Sequence, residues 1–311
     1  MTPAISSSVV ICTRNRPDGL QTCLRSLAEQ TMPPTELIIV DAGSDGRLAD
    51  RLATEFGQAP FSLRYLHTTP SLVLQRNIGI EQCTGEVVFF FDDDVVLEAD
   101  YLERVLAVYQ QDVNADLGGV QGSITNAPRT QWGAGWLRRL FLLTRSGRRG
   151  YLQRSGFPCF SFVVSQRTDV ELFSGCMMSY RRRLLDKHRF DEALQRYWPG
   201  DDWDLSYRIS REARLVQLPN ARLAHNQTDV SRDSLGLVWR MTVVNHHYLY
   251  SKHCRPAGQS WLPWLWAEVG LLLLALLRLF AGRGSDALKG MLKGFRELRG
   301  RPRSATVASL D

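Results

Sequence analysis

The sequence predicts an α/β fold: a Rossmann-like, mostly parallel central sheet flanked by helices, followed by a helical C-terminal extension. Runs of apolar residues that are not interrupted by polar ones, typical of strands covered on both faces, lie at 8–12, 37–40 and 87–91. Segments with helical apolar spacing separate these runs. This alternation of strands and helices favours right-handed crossovers and a largely parallel sheet.

The predicted elements follow one another with short turns. In order they are a strand at 8–12, a helix from Leu20 to about Thr31, a strand at 37–40, a helix, a strand at 62–66, a helix at 71–83, a strand at 87–91, a helix from about 100 to 111 and a strand at 119–123. Polar turn residues close most of these runs, as expected where strands or helices end.

Composition and charge narrow the class of protein. The 311 residues allow one large domain or two smaller ones, and the six cysteines lack metal-binding spacing, which indicates reduced cytosolic thiols. The first residues lack a basic region followed by an apolar core, so we expect no signal peptide. The net charge of +6 is uneven, with basic residues crowded at 138–154 and 278–303. An anionic surface or ligand is the predicted partner.

Three carboxylates, Asp92, Asp93 and Asp94, follow the apolar run that ends at Phe91. Adjacent acids repel one another, whereas a divalent cation such as Mg²⁺ or Mn²⁺ binds hard oxygen ligands. Ligands of open α/β sheets gather at the carboxyl ends of strands, where these acids lie. The sequence therefore favours a metal site, with an acidic turn or helix N-cap as the alternative.

A second acidic cluster lies at Asp201-Asp202, just after Gly200. The residues that follow have helical spacing, so these acids fall at a helix N-terminus, where negative charge is stabilised. A carboxylate kept ionised there can act as a general base. The alternative is a helix cap with an Asp204–Arg208 ion pair, and that structural role suits these last two residues.

Two further segments differ in character from the predicted sheet. The segment 127–157 mixes tryptophan with arginine and is predicted to be a loop or short helix near a ligand or a membrane surface, or else a solvated insertion with its aromatics packed down. The stretch 261–280 is apolar except for Glu268 and Arg278, and we expect Glu268 to interrupt it and leave too short a run to span a bilayer.

The segment 286–299 has an amphipathic pattern. Apolar residues fall on one helical face (Leu288, Met291, Leu292, Phe295 and Leu298), and basic residues fall on the other (Lys289, Lys293, Arg296 and Arg299). This pattern beside a tryptophan-rich stretch predicts binding in an anionic membrane interface. A helical hairpin packed on the domain or on a second subunit is the alternative.

Several motifs in order strongly resemble family 2 glycosyltransferases across about residues 8–226. They are Val10-Ile11-Cys12-Thr13-Arg14-Asn15-Arg16, Ile39-Val40-Asp41-Ala42-Gly43-Ser44, Arg76-Asn77-Ile78-Gly79, Phe91-Asp92-Asp93-Asp94, Gly175-Cys176-Met177-Met178, Asp201-Asp202-Trp203-Asp204-Leu205 and His225. The resemblance implies a GT-A fold, a nucleotide-sugar donor, a divalent metal and inversion at the anomeric carbon.

The resemblance also implies roles for single residues. Those expected to bind the nucleotide sugar are Thr13, Arg14, Arg16, Asp41, Arg76, Asp92, Asp93 and Gly175. Asp92, Asp94 and His225 would hold the metal, although a hydrogen-bonded core histidine is an equal alternative for His225. Asp202 matches the catalytic base. Trp198 and Asp201 are expected at the acceptor, and Asp201 stands where the family more commonly has glutamate.

The domain prediction is a GT-A domain at 1–230, with a nucleotide-binding half to about 125 and an acceptor-binding half from about 126. Residues 231–311 form the helical, membrane-interface region. The predicted enzyme is an inverting transferase, dependent on Mn²⁺ or Mg²⁺, that uses a UDP, dTDP or GDP sugar. Its acceptor would be a carbohydrate or a lipid-linked molecule in cell-surface polysaccharide, lipopolysaccharide or glycolipid assembly, at the cytoplasmic face of the membrane.

Two other function classes compete with this prediction. One is a catalytically degenerate nucleotide-sugar-binding or membrane scaffold protein, which the two intact acidic clusters disfavour. The other is a nucleic-acid-binding protein, suggested by the basic pI. The basic residues lie on an amphipathic helix with a large apolar face, which suits lipid better than nucleic acid.

Overall fold

The computed structural model describes residues 5–127, 135–144, 150–194, 200–227 and 234–300. The chain divides into two compact units. Unit 1 contains the described residues of Met1–Pro128, Phe160–Arg196 and Asp201–Ser231, and unit 2 contains those of Arg129–Cys159, Tyr197–Gly200 and Arg232–Asp311. The segment predicted as part of the acceptor-binding half therefore contributes residues to both units.

The first half of the chain alternates strands and helices. Its elements are β1 (Ser7–Thr13), α1 (Pro17–Ala28), β2 (Glu36–Asp41), α2 (Leu48–Phe56), β3 (Ser62–His67), α3 (Leu72–Gln82), β4 (Val87–Asp92), β5 (Val95–Leu97), α4 (Tyr101–Gln110) and β6 (Leu117–Ile124). The nine elements expected from the pattern are all present, and β5 is an addition. The apolar runs of β1, β2 and β4 are buried, as strands covered on both faces must be.

The second half begins with short elements and ends with three longer helices. Its elements are α5 (Gly135–Leu140), β7 (Tyr151–Leu152), β8 (Pro158–Cys159), β9 (Thr168–Val170), β10 (Met177–Arg181), α6 (Arg182–Lys187), α7 (Asp201–Ser210), β11 (Arg214–His225), α8 (Leu235–Leu249), a π-helical turn (Tyr250–Cys254), α9 (Leu262–Phe280) and α10 (Asp286–Gly300).

Unit 1 is built on one sheet of nine described strands in the order β3-β2-β1-β4-β10-β6-β11-β5, with β9 also paired to β11. β3, β2, β1 and β4 pair in parallel, as do β6 and β11. β10 runs antiparallel between β4 and β6, and β5 and β9 run antiparallel to β11. The prediction of a mostly parallel, Rossmann-like sheet is confirmed. Three short antiparallel strands, β5, β9 and β10, join it.

The acidic triplet lies where the chain passes from β4 to β5. β4 ends at Asp92, and β5 begins at Val95 and pairs with the end of β11, where Val95 faces His225. The amide of Asn226 donates to the carbonyl of Asp94 at 2.9 Å and extends this pairing by one residue. The antiparallel register therefore places His225 beside the acids, 131 positions away from Asp94 in the sequence.

Unit 2 is a helical assembly with its own apolar core. Its buried residues come from α5, α8, α9, α10 and the segment after α5, and they are Leu137, Phe141, Leu143, Val243, Ala267, Leu271, Ala275, Ala287 and Met291. A Cβ atom on Gly270 would lie 2.2 Å from that of Phe141, so α9 approaches that side chain through a residue with none of its own.

Helix α10 uses its apolar face inside unit 2. Leu288, Phe295 and Leu298 pack against the core together with the buried Met291. A Cβ on Gly290 would lie 2.2 Å from the carbonyl oxygen of Gly236, which shows how closely α10 approaches α8. The amphipathic helix predicted at 286–299 is confirmed, but its apolar face is largely covered by protein, as in the packed-hairpin alternative.

Glu268 does not interrupt the apolar segment. It lies inside the continuous α9 helix, and its Oε1 is 2.6 Å from Nδ1 of His246, while Nε2 of that ring is 2.6 Å from the Ser155 carbonyl oxygen. Both side chains are buried. Among the described helices, α9 is long and apolar enough to cross a bilayer, a test that a packed helix of a soluble protein also passes.

Loss of the buried pair should destabilise unit 2. The Glu268→Ala substitution is expected to lower the free energy of unfolding by about 3–5 kcal/mol, because it leaves the His246 ring buried without its acidic partner. Thermal and urea unfolding followed by circular dichroism measures this change. In the control, Glu297→Ala removes a more exposed ion pair with Arg240 and should cost about 1 kcal/mol or less. Equal losses in the two variants would contradict the structural importance of the buried pair.

Candidate active site

The end of β4 and the end of β11 bring two carboxylates and an imidazole together. Nε2 of His225 lies 3.0 Å from Oδ1 of Asp94 and 3.7 Å from Oδ2 of Asp92. Each of the three side chains offers a ligand atom, and all three atoms lie within 4.8 Å of one another. The structure thus brings together the three residues predicted to hold a metal.

The spacing of these atoms fits one divalent cation. Neighbouring ligands of an octahedral ion at about 2.1 Å are about 3.0 Å apart, and opposite ligands are about 4.2 Å apart. Two carboxylates and one imidazole form a donor set that suits Mn²⁺ or a similar ion. Burial raises the pKa of Asp92, so its charged form lacks full stabilisation from the protein alone.

His225 is held by acids even without a cation. Burial alone lowers the pKa of its ring, but the hydrogen bonds to Asp94 and to Cys176 outweigh this effect and raise it to about 11. His225 would have to give up that proton to serve as a ligand, because a histidine binds a metal in its neutral form.

Asp93 contacts the end of β1 and the loop that follows it, and it shares Arg16 with Asp94, whose Oδ2 lies 3.7 Å from Nη1 of that arginine. Oδ2 of Asp93 accepts a hydrogen bond from Oγ1 of Thr13 at 2.7 Å, and its Oδ1 lies 3.1 Å from Nη1 of Arg16. Burial raises the pKa of Asp93 to about 6 in spite of both partners. The middle acid therefore fixes the loop after β1, and it lies outside the cluster of candidate metal ligands.

Arg76 joins the two acidic clusters. It projects from α3, and its Nη2 lies 3.6 Å from Oδ1 of Asp92 while its Nη1 pairs closely with Oδ2 of Asp201. Nη2 also donates to the carbonyl oxygen of Gly175 at 3.3 Å, and the ring of Phe190 lies 5.2 Å from the guanidinium carbon. The side chain is 5% exposed, so one buried cation holds the ends of β4 and α7 together.

Asp202 lies in the first turn of α7, as predicted. The backbone amide of Gly175 donates to its Oδ2 at 2.9 Å, and the amide of Trp203 donates to its Oδ1 at 2.8 Å. Burial and the neighbouring Asp201 raise the pKa of Asp202 to about 7, against the opposing effect of Arg76 and these amides. A carboxylate with such a pKa can take up and release a proton near neutrality.

Gly175 is the residue that allows this close approach. A Cβ atom at this position would lie 2.9 Å from Nη2 of Arg76 and 3.4 Å from Oδ2 of Asp202.

On the same helix as Asp202, the predicted ion pair between Asp204 and Arg208 is present, with a distance of 2.9 Å between Oδ2 and Nη2.

The remaining predicted residues lie along the loops that follow β1 and β2. Asp41 is buried, and its two oxygens accept hydrogen bonds from the amide of Gly43 at 2.7 Å and the hydroxyl of Tyr65 at 2.8 Å. Arg14 is exposed at the end of β1. Their nucleotide-binding roles stay predictions. Trp198, expected at the acceptor, lies outside the described residues.

The chain is similar to a known protein family. The model of the family "Glycosyl transferase family 2" matches residues 8–189, which is more than half of the chain. The chain belongs to glycosyltransferase family 2. It is therefore a glycosyltransferase, and its sheet and flanking helices form a GT-A fold.

Relatives of this glycosyltransferase agree with the assignment. The uncharacterized glycosyltransferase YwdF of Bacillus subtilis is 27% identical over 71% of this chain and 74% of its own. Succinoglycan biosynthesis protein ExoM of Rhizobium meliloti is 33% identical over 31% of this chain and 32% of its own. The structure of mannosyltransferase PcManGT from Pyrobaculum calidifontis, with GDP-Man and Mn²⁺, has a TM-score of 0.57 at 15% identity, over 96% of this chain and 88% of that one.

Some residues of the glycosyltransferase site carried no predicted role. Asn77 accepts from the amide of Phe190 at 2.9 Å and donates to its carbonyl oxygen at 3.0 Å, which positions the ring that covers Arg76. Gln75 donates to the carbonyl oxygens of Thr13 and Val40 and links the loops after β1 and β2. The sequence signals were the polar residues on either side of Arg76 and, for Asn77, its place in the Arg76-Asn77-Ile78-Gly79 motif.

Replacing one candidate ligand should remove metal binding. In the wild type, Mn²⁺ at a hundred times its Kd should stabilise the fold by about 2.7 kcal/mol, and Asp94→Asn should lose most of this gain because it loses a charged ligand. Thermal shift against Mn²⁺ concentration, without a nucleotide, measures it. Asp93→Asn is the matched control and should keep the gain, since Asp93 pairs with Thr13 and Arg16. An undiminished Mn²⁺ shift in Asp94→Asn would rule out the proposed ligand set.

Proposed function

We propose that this glycosyltransferase moves a sugar, with inversion at C1, from a nucleotide-diphosphate donor to an acceptor hydroxyl, with Asp202 as the catalytic base. The observation that carries the proposal is the double contact of Arg76. Through it, a candidate cation site at Asp92, Asp94 and His225 is tied to Asp201, the neighbour of the buried Asp202, whose pKa is about 7.

The candidate cation site supports a role for unit 1 on the leaving-group side of the reaction. Departure of a nucleoside diphosphate develops negative charge that must be neutralised. Asp92, Asp94 and His225 would hold the divalent ion, which when bound supplies a Lewis acid for the diphosphate oxygens. Thr13 and Arg16, fixed through Asp93, would bind the nucleotide.

On the acceptor side, one carboxylate among the described residues is suited to take a proton. Asp201 is held by the Arg76 guanidinium, whereas Asp202 contacts backbone amides and keeps the raised pKa. As the acceptor oxygen attacks C1, its proton passes to Asp202 and the bond from C1 to the diphosphate oxygen breaks. A base that acts on the acceptor, opposite the leaving group, supports a direct displacement, which would invert C1.

The donor and acceptor classes rest on chemistry and on relatives. The site predicts a donor with a diphosphate, of the UDP, dTDP or GDP type. PcManGT was solved with GDP-Man and Mn²⁺, and ExoM is named for succinoglycan biosynthesis. We propose a carbohydrate or lipid-linked acceptor in cell-envelope assembly, with the enzyme working at the cytoplasmic face of the membrane.

Removal of the base should stop transfer without stopping donor binding. Asp202→Asn is expected to lower kcat by about 10²–10⁴-fold, because the amide cannot accept the acceptor's proton. Release of nucleoside diphosphate measures turnover, and thermal shift with the same nucleotide and Mn²⁺ measures binding. Asp204→Asn, which removes the neighbouring structural carboxylate, should lower thermal stability while the folded protein keeps its kcat. Unchanged turnover in Asp202→Asn would refute the base assignment, and no turnover in the wild type would favour a degenerate binding protein.

The pH dependence should follow the protonation of Asp202. With its pKa at about 7, the base is protonated and inactive at lower pH. The value of kcat/KM is therefore expected to fall about tenfold per pH unit below about 7 and to level off above it. A profile measured at constant ionic strength and saturating Mn²⁺ tests this. A flat profile across the neutral and mildly acidic range would exclude Asp202 as the titrating base.

A further inference from the structure

Helix α9 has one packed face and one exposed apolar face. Its buried residues are Ala267, Glu268, Gly270, Leu271 and Ala275. Six of its seven exposed large apolar residues recur at helical spacing on the opposite side, and they are Leu262, Leu265, Trp266, Val269, Leu277 and Phe280. At 1.5 Å per residue the helix is about 28 Å long, and these residues lie in its first two turns and its last turn, while Leu272 and Leu273 between them pack partly against the core of unit 2.

Helix α5 extends the same surface. Its Trp136 and Leu140 are exposed, and the indole N–H of Trp266 donates to the carbonyl oxygen of Leu140 at 2.7 Å. The ring of Trp266 also lies 4.8 Å from that of Phe141. We call these two residues of α5 and the six of the α9 stripe the α5–α9 surface.

The charges on these two helices are all of one sign at the exterior. Arg138 and Arg139 are exposed on α5, and Arg283 is exposed just after α9. Glu268 is the single acid in the sequence of either helix, and it is buried against His246. The α5–α9 surface is therefore apolar with cationic neighbours, and it has no exposed carboxylate of its own.

We propose that the α5–α9 surface docks onto an anionic lipid bilayer, with α9 lying along the membrane plane. The inference rests on the membrane location proposed above and names the surface responsible, which differs from the α10 face that the sequence favoured. Exposed tryptophans beside an apolar stripe and arginines match the requirements of an interfacial helix.

The two other possible occupants of this surface fit less well. A symmetric contact with a second copy pairs a patch with itself and would bring the same arginines together. A spanning α9 would have to carry Glu268 into the hydrocarbon or drag the packed His246 with it, at a high energetic cost. An anionic surface meets the cations, and the apolar stripe needs to enter only the headgroup and acyl boundary.

Vesicle binding by the full chain tests the proposal. Leu262→Glu/Leu265→Glu places two carboxylates on the exposed stripe, and it is expected to lower the partition coefficient for phosphatidylcholine–phosphatidylglycerol vesicles at least about tenfold. Val113→Glu/Val163→Glu is the matched control, because it adds the same two carboxylates at exposed apolar residues of unit 1. These valines are 93% and 53% exposed, and the two leucines are 73% and 53% exposed. The control should sediment with vesicles like the wild type, and binding should weaken in high salt and with phosphatidylcholine alone.

Each alternative gives a different result. Wild-type vesicle binding by the leucine variant would overturn the proposal, and so would membrane attachment that survives alkaline carbonate, which marks a spanning helix. A wild-type dimer that the leucine variant abolishes, without vesicle binding by either protein, would assign the surface to a second copy. Nucleotide-sugar turnover without vesicles should be equal in the wild type and both double variants, so a failure of docking is distinguishable from a failure of the proposed transfer.

Discussion

The buried guanidinium of Arg76 is the constraint on which the active site depends. A charge removed from water is tolerated only when it is paired and hydrogen-bonded, and Arg76 has Asp92, Asp201, the Gly175 carbonyl and the ring of Phe190 around it. These groups come from widely separated parts of the chain. The need to satisfy one cation thus fixes the end of β4, the glycine turn before β10 and the first turn of α7 against α3.

The same contact gives the site two chemically different halves. Asp92 shares Arg76 and also faces His225, while Asp201 is neutralised by it and leaves Asp202 as the carboxylate whose pKa is about 7. Acids with similar sequence surroundings thus differ in behaviour because of their partners. Gly175 takes part in both halves, since its carbonyl contacts Arg76 and its amide contacts Asp202.

A second constraint, in unit 2, determines which face of α9 is free. The His246–Glu268 pair and the close contact at Gly270 turn one side of the helix inward. Large apolar residues of its first two turns and its last turn are then exposed, and an exposed apolar patch of this kind is typical of a contact surface. Glu268, which was expected to interrupt the apolar segment, instead orients the continuous helix α9 through its contact with His246.

Much of the site could be predicted from the sequence because its signals are local. Unalternating apolar runs identified β1, β2 and β4, and acids after an apolar run or before a helical pattern identified Asp92, Asp94 and Asp202. The order of the motifs identified the family. The pairing of His225 with Asp94 could not be predicted from spacing, because it depends on the register between β5 and β11.

By itself, then, the sequence determined the parallel half of the sheet, the two acidic clusters and the amphipathic character of the C-terminal helices. All of these follow from periodicity and from the chemistry of neighbouring residues. Only the tertiary structure decided that Arg76 joins the clusters, that Asp93 turns toward Thr13 and Arg16, and that α10 packs its apolar face while α9 exposes one. Burial and long-range pairing decide such matters, because a pattern along one segment shows that it has an apolar face but not what covers it.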